Sequence, residues 1–529
     1  MDAAGQRTAG GSYPLAAPVG SPAARARCDD LPTMMNPPVI LWFRRDLRLA
    51  DHPALVAAVA AAKERGAPLL PIFIWEPGLV AGPRASANRT WFLRESVTEL
   101  ATSLRALGSD LIELQGPAAS ALPTLISELR AAGGFGNTDL FMTRDHTPFA
   151  RKRDRAVAEL LAPLGVEVHA KRGLVVVEPE ELLTGGGTPY GVYTPYFRRW
   201  LEQVDASAPL PAPKKLPPLP TPTPTSTVDQ ALLDAHAVPT AQIDQLPVPG
   251  ERAARAHADA WRKSVGEYAN RRNTLADTAG TSHLSAALHI GLLSPRELVA
   301  RQLPLPPMQE GERSGVRLWV SQIAWRDFYT QVLWHAPHAA RSSWKPAYDA
   351  IEWDERDEPF NAWREGRTGY PIVDAAMRQL HETGFMHNRA RMITASFLTK
   401  DLLVDWRKGE AHFLQHLVDG DVAANNGGWQ WSAGSGTDAQ PYFRIFNPVT
   451  QAGNFDPDGA YVRRWIPELA ALKAPAIHAP WAHAAALAVA GITLGVHYPE
   501  PIVDHAQARA RTLEAYARAV KALPAPRGE

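Results

Sequence analysis

PVILWFRRDLRLADHPALVAAVAAAKERGAPLLPIFIW, residues 38–75, opens on an apolar β-rich run, passes through an alanine-rich helical segment and closes on a second apolar run. The rhythm continues with DLIELQ (110–115), DLFMTR (139–144) and VEVHAK (166–171), again separated by alanine- and leucine-rich stretches. Largely continuous apolar strands are covered on both faces, so residues 37–200 are expected to form an α/β domain, a parallel five-stranded sheet with helices on both faces. An open sheet of this kind often binds a nucleotide-like ligand beyond the carboxyl ends of its strands. No glycine-rich dinucleotide fingerprint follows the first strand, and Gly185 to Gly187 lead into TPYGVYTPY rather than into a helix. That glycine run reads as a loop and not as a phosphate cradle.

Working outward, a chain of 529 residues is too long for one ordinary core. The stretch LPAPKKLPPLPTPTPTSTVDQ (210–230) marks residues 201–250 as an interdomain linker, extended where prolines cluster. From residue 251 to 529 the pattern becomes helical and rich in tryptophan, which predicts an all-α second domain. Within it Pro371 starts a helix whose Ile372, Val373, Ala376 and Leu380 recur at helical spacing, and Gly384 can end it. Residues 1–36 read as a flexible tail without the apolar core of a secretory signal. Cys28, the only cysteine, excludes a disulfide framework and a thiolate metal site, in keeping with a reducing cytoplasm. Basic and acidic residues number 55 each, so binding to nucleic acid requires a local basic patch. No stretch approaches the roughly 18 apolar residues needed to cross a bilayer, so a soluble protein without a membrane partner is expected.

Residues 369–451 set Asn388, Arg389, Arg391, Asp405, Arg407, Asp419, Asp421, Asn425, Asn426, Trp429 and Trp431 among apolar helices. Helix caps, surface ion pairs and core tryptophans account for any one of them alone. As a set they point to a built site. TGYPIVDAAMRQL (368–380), MHNRARMITASFLTKDLLVDW (386–406), DGDVAANNGGWQW (419–431) and PYFRIFNP (441–448) resemble the flavin-binding domain of the photolyase and cryptochrome family. The likeness is closest to bacterial class I cyclobutane pyrimidine dimer photolyases. The opening PVILWFRRDLRLADHPAL (38–55) resembles the first strand and helix of the same family.

The resemblance implies noncovalent FAD, folded into a U in the helical domain and reduced in its active form. Tyr268 and the TSHLS segment, Thr281, Ser282, His283, Leu284 and Ser285, match positions that hold the diphosphate side. Hydroxyls and free backbone N–H groups near a helix start suit that task. Asp419, Gly420 and Asp421 match the acidic loop beside the isoalloxazine and ribose, and Arg391 the guanidinium that pairs with Asp419. Asn425 matches the residue facing flavin N5, whose amide oxygen can accept a hydrogen bond from the N5–H of a reduced flavin. Many plant cryptochromes carry aspartate there and many insect ones cysteine, so Asn425 favours repair. Trp429, Trp406 and Trp353 match the family's electron-carrying tryptophan chain, although most of the 16 tryptophans must serve as core.

The resemblance implies that the dimer is flipped out of the duplex toward the flavin, as enzymes acting on a stacked base require. Arg272, Asn388, Arg389 and Arg444 match DNA- or lesion-contacting positions, with Met392 and Trp431 in the same group, and Trp325 matches the indole that stacks on the flipped bases. The implied partner is DNA containing cyclobutane pyrimidine dimers, bound by a monomer. In LWVSQIAWRDFY (318–329) Gln322 stands where dimer photolyases usually carry glutamate; glutamine there is more typical of (6-4) photolyases and animal cryptochromes. Asn388 and Met392 stand where (6-4) enzymes carry two histidines. A second, light-harvesting chromophore is expected, deazaflavin, FMN or methenyltetrahydrofolate, and RDHTPFARKRD (144–154) resembles an antenna-lining region while also fitting a solvated basic helix face. A blue-light photoreceptor is the main alternative. A metal hydrolase is raised by His412 and His416 on one helix face, but Phe413, Leu414 and Gln415 supply no glutamate between them, so no metal is expected.

Overall fold

The computed structural model describes residues 36–133, 136–305, 314–439 and 441–521, so the expected tail, Cys28 included, lies outside the described residues except for Asn36. Five strands form one parallel sheet: β1 (Val39–Phe43), β2 (Leu69–Trp75), β3 (Ile112–Gln115), β4 (Thr138–Thr143) and β5 (Val166–Lys171), in the order β3-β2-β1-β4-β5. Each expected run is a strand. Val39, Leu41 and Phe43 face one side with the helices Pro53–Glu64 and Ala87–Ala106. Ile40 and Trp42 face the other with Ala118–Gly133 and Pro148–Leu161. The period-2 alternation of a strand thus feeds two cores, which is why the runs are apolar throughout.

Strand order reverses between β1 and β4, and the loops leaving their carboxyl ends carry Arg44 and Arg45, and Arg144 and Asp145. A crevice at this point is where doubly wound sheets place ligands. Here the helical domain covers it: Arg45, Asp145 and His146 share a small cavity with Arg326, Thr330 and Asp421.

The proline-rich segment expected as an extended linker is tied to the sheet along much of its length. Leu69 N donates to Pro218 O and Leu216 N to Leu107 O. Thr227 N donates to Glu113 O, while the Ser226 and Thr227 hydroxyls accept from Glu113 N and Gln115 N at 2.9 and 3.2 Å. These bonds satisfy the open edge of β3, a liability that proteins commonly cover. Residues Gln230–His236 then form a short helix capped by Asp229.

From Glu251 on, the described elements are helices and short helical turns. Pro371–Thr383 begins at its proline and ends on Gly384, whose φ of 64° is the left-handed geometry that glycine adopts at low cost. The helix Gly315–His335 spans the junction between domains. Its Asp327 is buried and accepts from Val176 N (2.8 Å), Val177 N (3.2 Å) and the Trp200 indole (3.0 Å). Burial raises the Asp327 pKa to about 6 against the pull of Arg326 and these donors. Among the described residues no helix is long and apolar enough to cross a membrane.

Asp327→Ala strands three buried N–H donors while keeping a good helix former. It is expected to lower stability by about 3 kcal/mol, read as a lower urea midpoint.

Candidate functional site

A cavity of about 660 Å³ opens in the helical domain. Of the residues singled out in the sequence, Arg272, Ser282, Ser285, Gln322, Trp325, Asn388, Arg391, Met392, Asp419, Gly420, Asp421, Asn425, Trp429 and Trp431 all line it. They come from five separate segments that only the fold brings together.

The acidic loop forms one wall. Arg391 donates from one nitrogen to both Asp419 oxygens, at 3.1 and 2.9 Å. Asp421 begins the helix Val422–Ala433, with one oxygen accepting from Ala423 N and Ala424 N at 3.0 Å each. Its other oxygen takes Arg45, from the carboxyl end of β1. Burial opposes ionisation of both carboxyls, yet Arg391 holds Asp419 below its usual range, and Arg45, with His289 and Arg326, holds Asp421 well below. Both are therefore carboxylates at neutral pH. Gly420 lies against the Arg89 guanidinium that binds the Leu417 carbonyl, and a Cβ there would displace it.

The tract NNGGW then divides its work. Asn425 donates its side-chain nitrogen to the Glu410 carbonyl at 3.0 Å, so the amide oxygen is the part left for a ligand. Gly427 lets the helix approach Gly315–His335, since a Cβ would overlap the Tyr329 ring. Gly428 has nothing within 4 Å of its Cβ position and faces the cavity. Trp429 is buried against Phe413 (4.9 Å between ring centres) and Trp363 (5.9 Å). Trp406 is fully buried one helix away, and Trp353 is partly exposed, 6.2 Å from Tyr516.

At the cavity mouth Trp325 stacks on Tyr193 with centres 3.7 Å apart. Gln322 donates its side-chain nitrogen to Leu318 O (3.1 Å) and Ser321 Oγ (3.0 Å), which leaves its oxygen as the available acceptor. The Asn388 amide lies 3.7 Å from Met392 Sδ.

The remaining expected residues sit outside this wall. Tyr268 is buried beneath Arg272, 5.1 Å from ring centre to guanidinium, and Leu284 is buried. His283 has a positive φ of 50° and contacts the Thr278 carbonyl at 2.7 Å. Arg389 donates to Asn273 (2.8 Å) and lies over Phe455, and Arg444 is exposed. Thr281 Oγ1 is buried and has no protein partner, as expected of a hydroxyl awaiting a ligand. Sequence reasoning missed Arg45, His289 and Arg326. The signal for Arg45 was its place after β1, at the end of a switch-point strand.

A cavity of this volume, lined by paired carboxylates, the Ser282 and Ser285 side chains and a bare glycine, fits a dinucleotide cofactor such as FAD. Residues 319–518 match the FAD binding domain of DNA photolyase, and residues 39–215 match the DNA photolyase model. A deoxyribodipyrimidine photo-lyase of Agrobacterium fabrum is 40% identical over 492 residues, covering 92% of this chain and 99% of that protein. The chain belongs to the DNA photolyase family.

The photo-lyase of Escherichia coli K12 is 38% identical over 490 residues, 91% of this chain and 99% of its own. Among solved structures, a bacterial class III photolyase from Agrobacterium tumefaciens superposes with a TM-score of 0.83 at 40% identity, covering 93% of this chain and all of its own. A Synechocystis cryptochrome superposes at 0.80 with 28% identity, covering 91% and 99%. Family membership follows from these likenesses, whereas the finer class I assignment does not.

Gly428→Leu fills the cavity from a helical position with no protein neighbour. This photolyase is expected to lose its bound flavin, read as absorbance per protein, while its helical content and melting temperature match those of the parent stripped of flavin. Gly427→Ala is expected to lower the melting temperature instead, because its Cβ meets the Tyr329 ring.

Proposed function

We propose that the chain repairs cyclobutane pyrimidine dimers in DNA with blue light, using reduced FAD held in the 660 Å³ cavity. The observation that carries this reading is Asn425: its nitrogen is committed to Glu410, so the group presented to a flavin edge is an acceptor, which favours the reduced, N–H-bearing form. When bound and reduced, FAD supplies an electron on excitation and takes it back after the cyclobutane ring has opened.

The protein's own residues position and insulate. Asp419 and Asp421, held ionised by Arg391 and Arg45, present acceptors to N–H and O–H groups of a cofactor. Thr281, Ser282 and Ser285 would take its diphosphate side, with Tyr268, His283, Leu284 and Gly420 shaping that end. Trp325, braced by Tyr193, offers a flat apolar face to extruded bases, with Trp431, Asn388 and Met392 completing the rim. Arg272, Arg389 and Arg444 would hold phosphates around the lesion, so affinity falls with salt and depends little on flanking sequence. Trp429 on the cavity wall and Trp406 are both buried and Trp353 is partly exposed, so the series ends toward solvent, as an inward electron relay requires.

In this reading residues 37–200 form the antenna-binding domain, 201–250 the strap between domains and 251–529 the FAD- and DNA-binding domain of a cytoplasmic monomer. Three arginines of the 144–154 segment pair within the protein rather than forming a solvated face, which is compatible with an antenna site there. Arg151 lies over Trp334 (3.8 Å), Arg153 pairs with Glu76 (2.9 Å) and Arg144 with Glu178 (3.2 Å). Deazaflavin, FMN or methenyltetrahydrofolate would serve as the antenna; the Sulfolobus tokodaii photolyase structure holds two FAD molecules.

A photoreceptor is the second reading, favoured by Gln322. Photoreduced protein mixed with dimer-bearing DNA is expected to remove dimers under blue light and not in the dark. A bound flavin without dimer loss would overturn the repair reading and shift the leading reading to the photoreceptor. Gln322→Glu restores a charged acceptor at the lesion and is expected to tighten dimer binding by about 1 kcal/mol, roughly fivefold. Unchanged affinity and yield would remove Gln322 from the lesion site. Trp406→Phe is expected to abolish photoreduction of oxidised flavin while chemically reduced enzyme repairs at the parent yield, measured by flavin absorbance and dimer loss in parallel.

A further inference from the structure

Away from the flavin cavity, three histidines converge. His412 and His416 lie one turn apart on the helix Trp406–His416, and His381 meets them from Pro371–Thr383. One nitrogen of each ring lies within 4.8 Å of the others, and His381 Nε2 is 3.4 Å from His412 Nε2. Two nitrogens on a tetrahedral zinc ion stand about 3.3 Å apart, given their bond lengths of roughly 2.05 Å. The first pair is already at ligand spacing.

We propose that His381, His412 and His416 form a binding site for one divalent transition-metal ion of the zinc or cobalt kind, with water at the fourth position. A helical pair four residues apart plus a third imidazole from a neighbouring helix is a ligand set suited to such ions. The contact of His416 Nδ1 with the His412 carbonyl at 2.9 Å requires the proton on Nδ1, which leaves Nε2 as a lone-pair donor. Burial, with the neighbouring imidazoles, holds His381 at about 4 and His412 lower still. Metal binding takes imidazoles in their neutral form, the direction in which burial pushes all three. Phe360 and Trp363 wall the site, while His381 and His416 keep partial exposure and so an entry path. Glu365 faces His381 and favours a cation; Arg364 faces His412 and opposes it. A hydrogen bond between two neutral imidazoles accounts for the 3.4 Å contact but not for the convergence of the third ring.

The test is titration of metal-stripped, full-length holoprotein with Co²⁺, followed by the visible absorption of tetrahedral cobalt beyond the flavin bands, with Zn²⁺ as competitor. One saturable equivalent displaced by Zn²⁺ is expected. His381→Gln and His416→Gln, each with its metal-free melting curve as a fold check, are expected to weaken binding at least about tenfold. Absence of a saturable band in the parent protein, or a band that survives both substitutions unchanged, overturns the proposal.

Discussion

The ion pair between Arg45 and Asp421 is the contact on which the rest of the site depends. It joins the carboxyl end of β1 to the residue that caps the helix Val422–Ala433, and both side chains are largely buried. Because Asp421 spends one oxygen on the helix start and the other on Arg45, the sheet's switch point, the acidic loop and the cavity wall are tied together at one carboxylate. A buried pair of this kind contributes little net stability against an apolar substitute, but losing one partner leaves an uncompensated charge. Its value lies in position: it holds a carboxylate ionised where a cofactor needs an acceptor.

Close backbone approach is the second constraint. Gly427 brings one helix against Tyr329, Gly409 makes room for the Trp429 ring, and Gly428 leaves the space that a flat ligand requires. The same helix therefore packs tightly on one side and stays open on the other. Bulky aromatic residues fill the packed side, so Trp429 sits at once in the apolar core and on the cavity wall. Core packing and electron relay make the same demand here, a rigid indole with little solvent around it.

Much of the fold was legible before any coordinates. All five strands and the helix from Pro371 to its Gly384 cap follow from local rules: a period of two, a period of 3.6, proline at a start and glycine at an end. Family motifs led to most of the cavity lining, because those motifs are contiguous runs whose neighbours in sequence are also neighbours on one helix or loop. The linker was less legible. Its prolines indicate extension, while its bonds to β3 depend on which strand forms the sheet edge.

From the sequence alone came the element types, the two-domain order, the family and the residues of its longest motifs. Tertiary structure decided which distant groups meet: Arg45 with Asp421 across 376 residues, Asp327 with the Val176 and Val177 amides, and His381 with a histidine pair one helix away. Local structure is set by backbone geometry over a few residues, which composition and spacing record. Long-range contacts are set by packing two cores against each other, and one arginine after a strand, or one histidine on a helix, carries no mark of the partner it will reach.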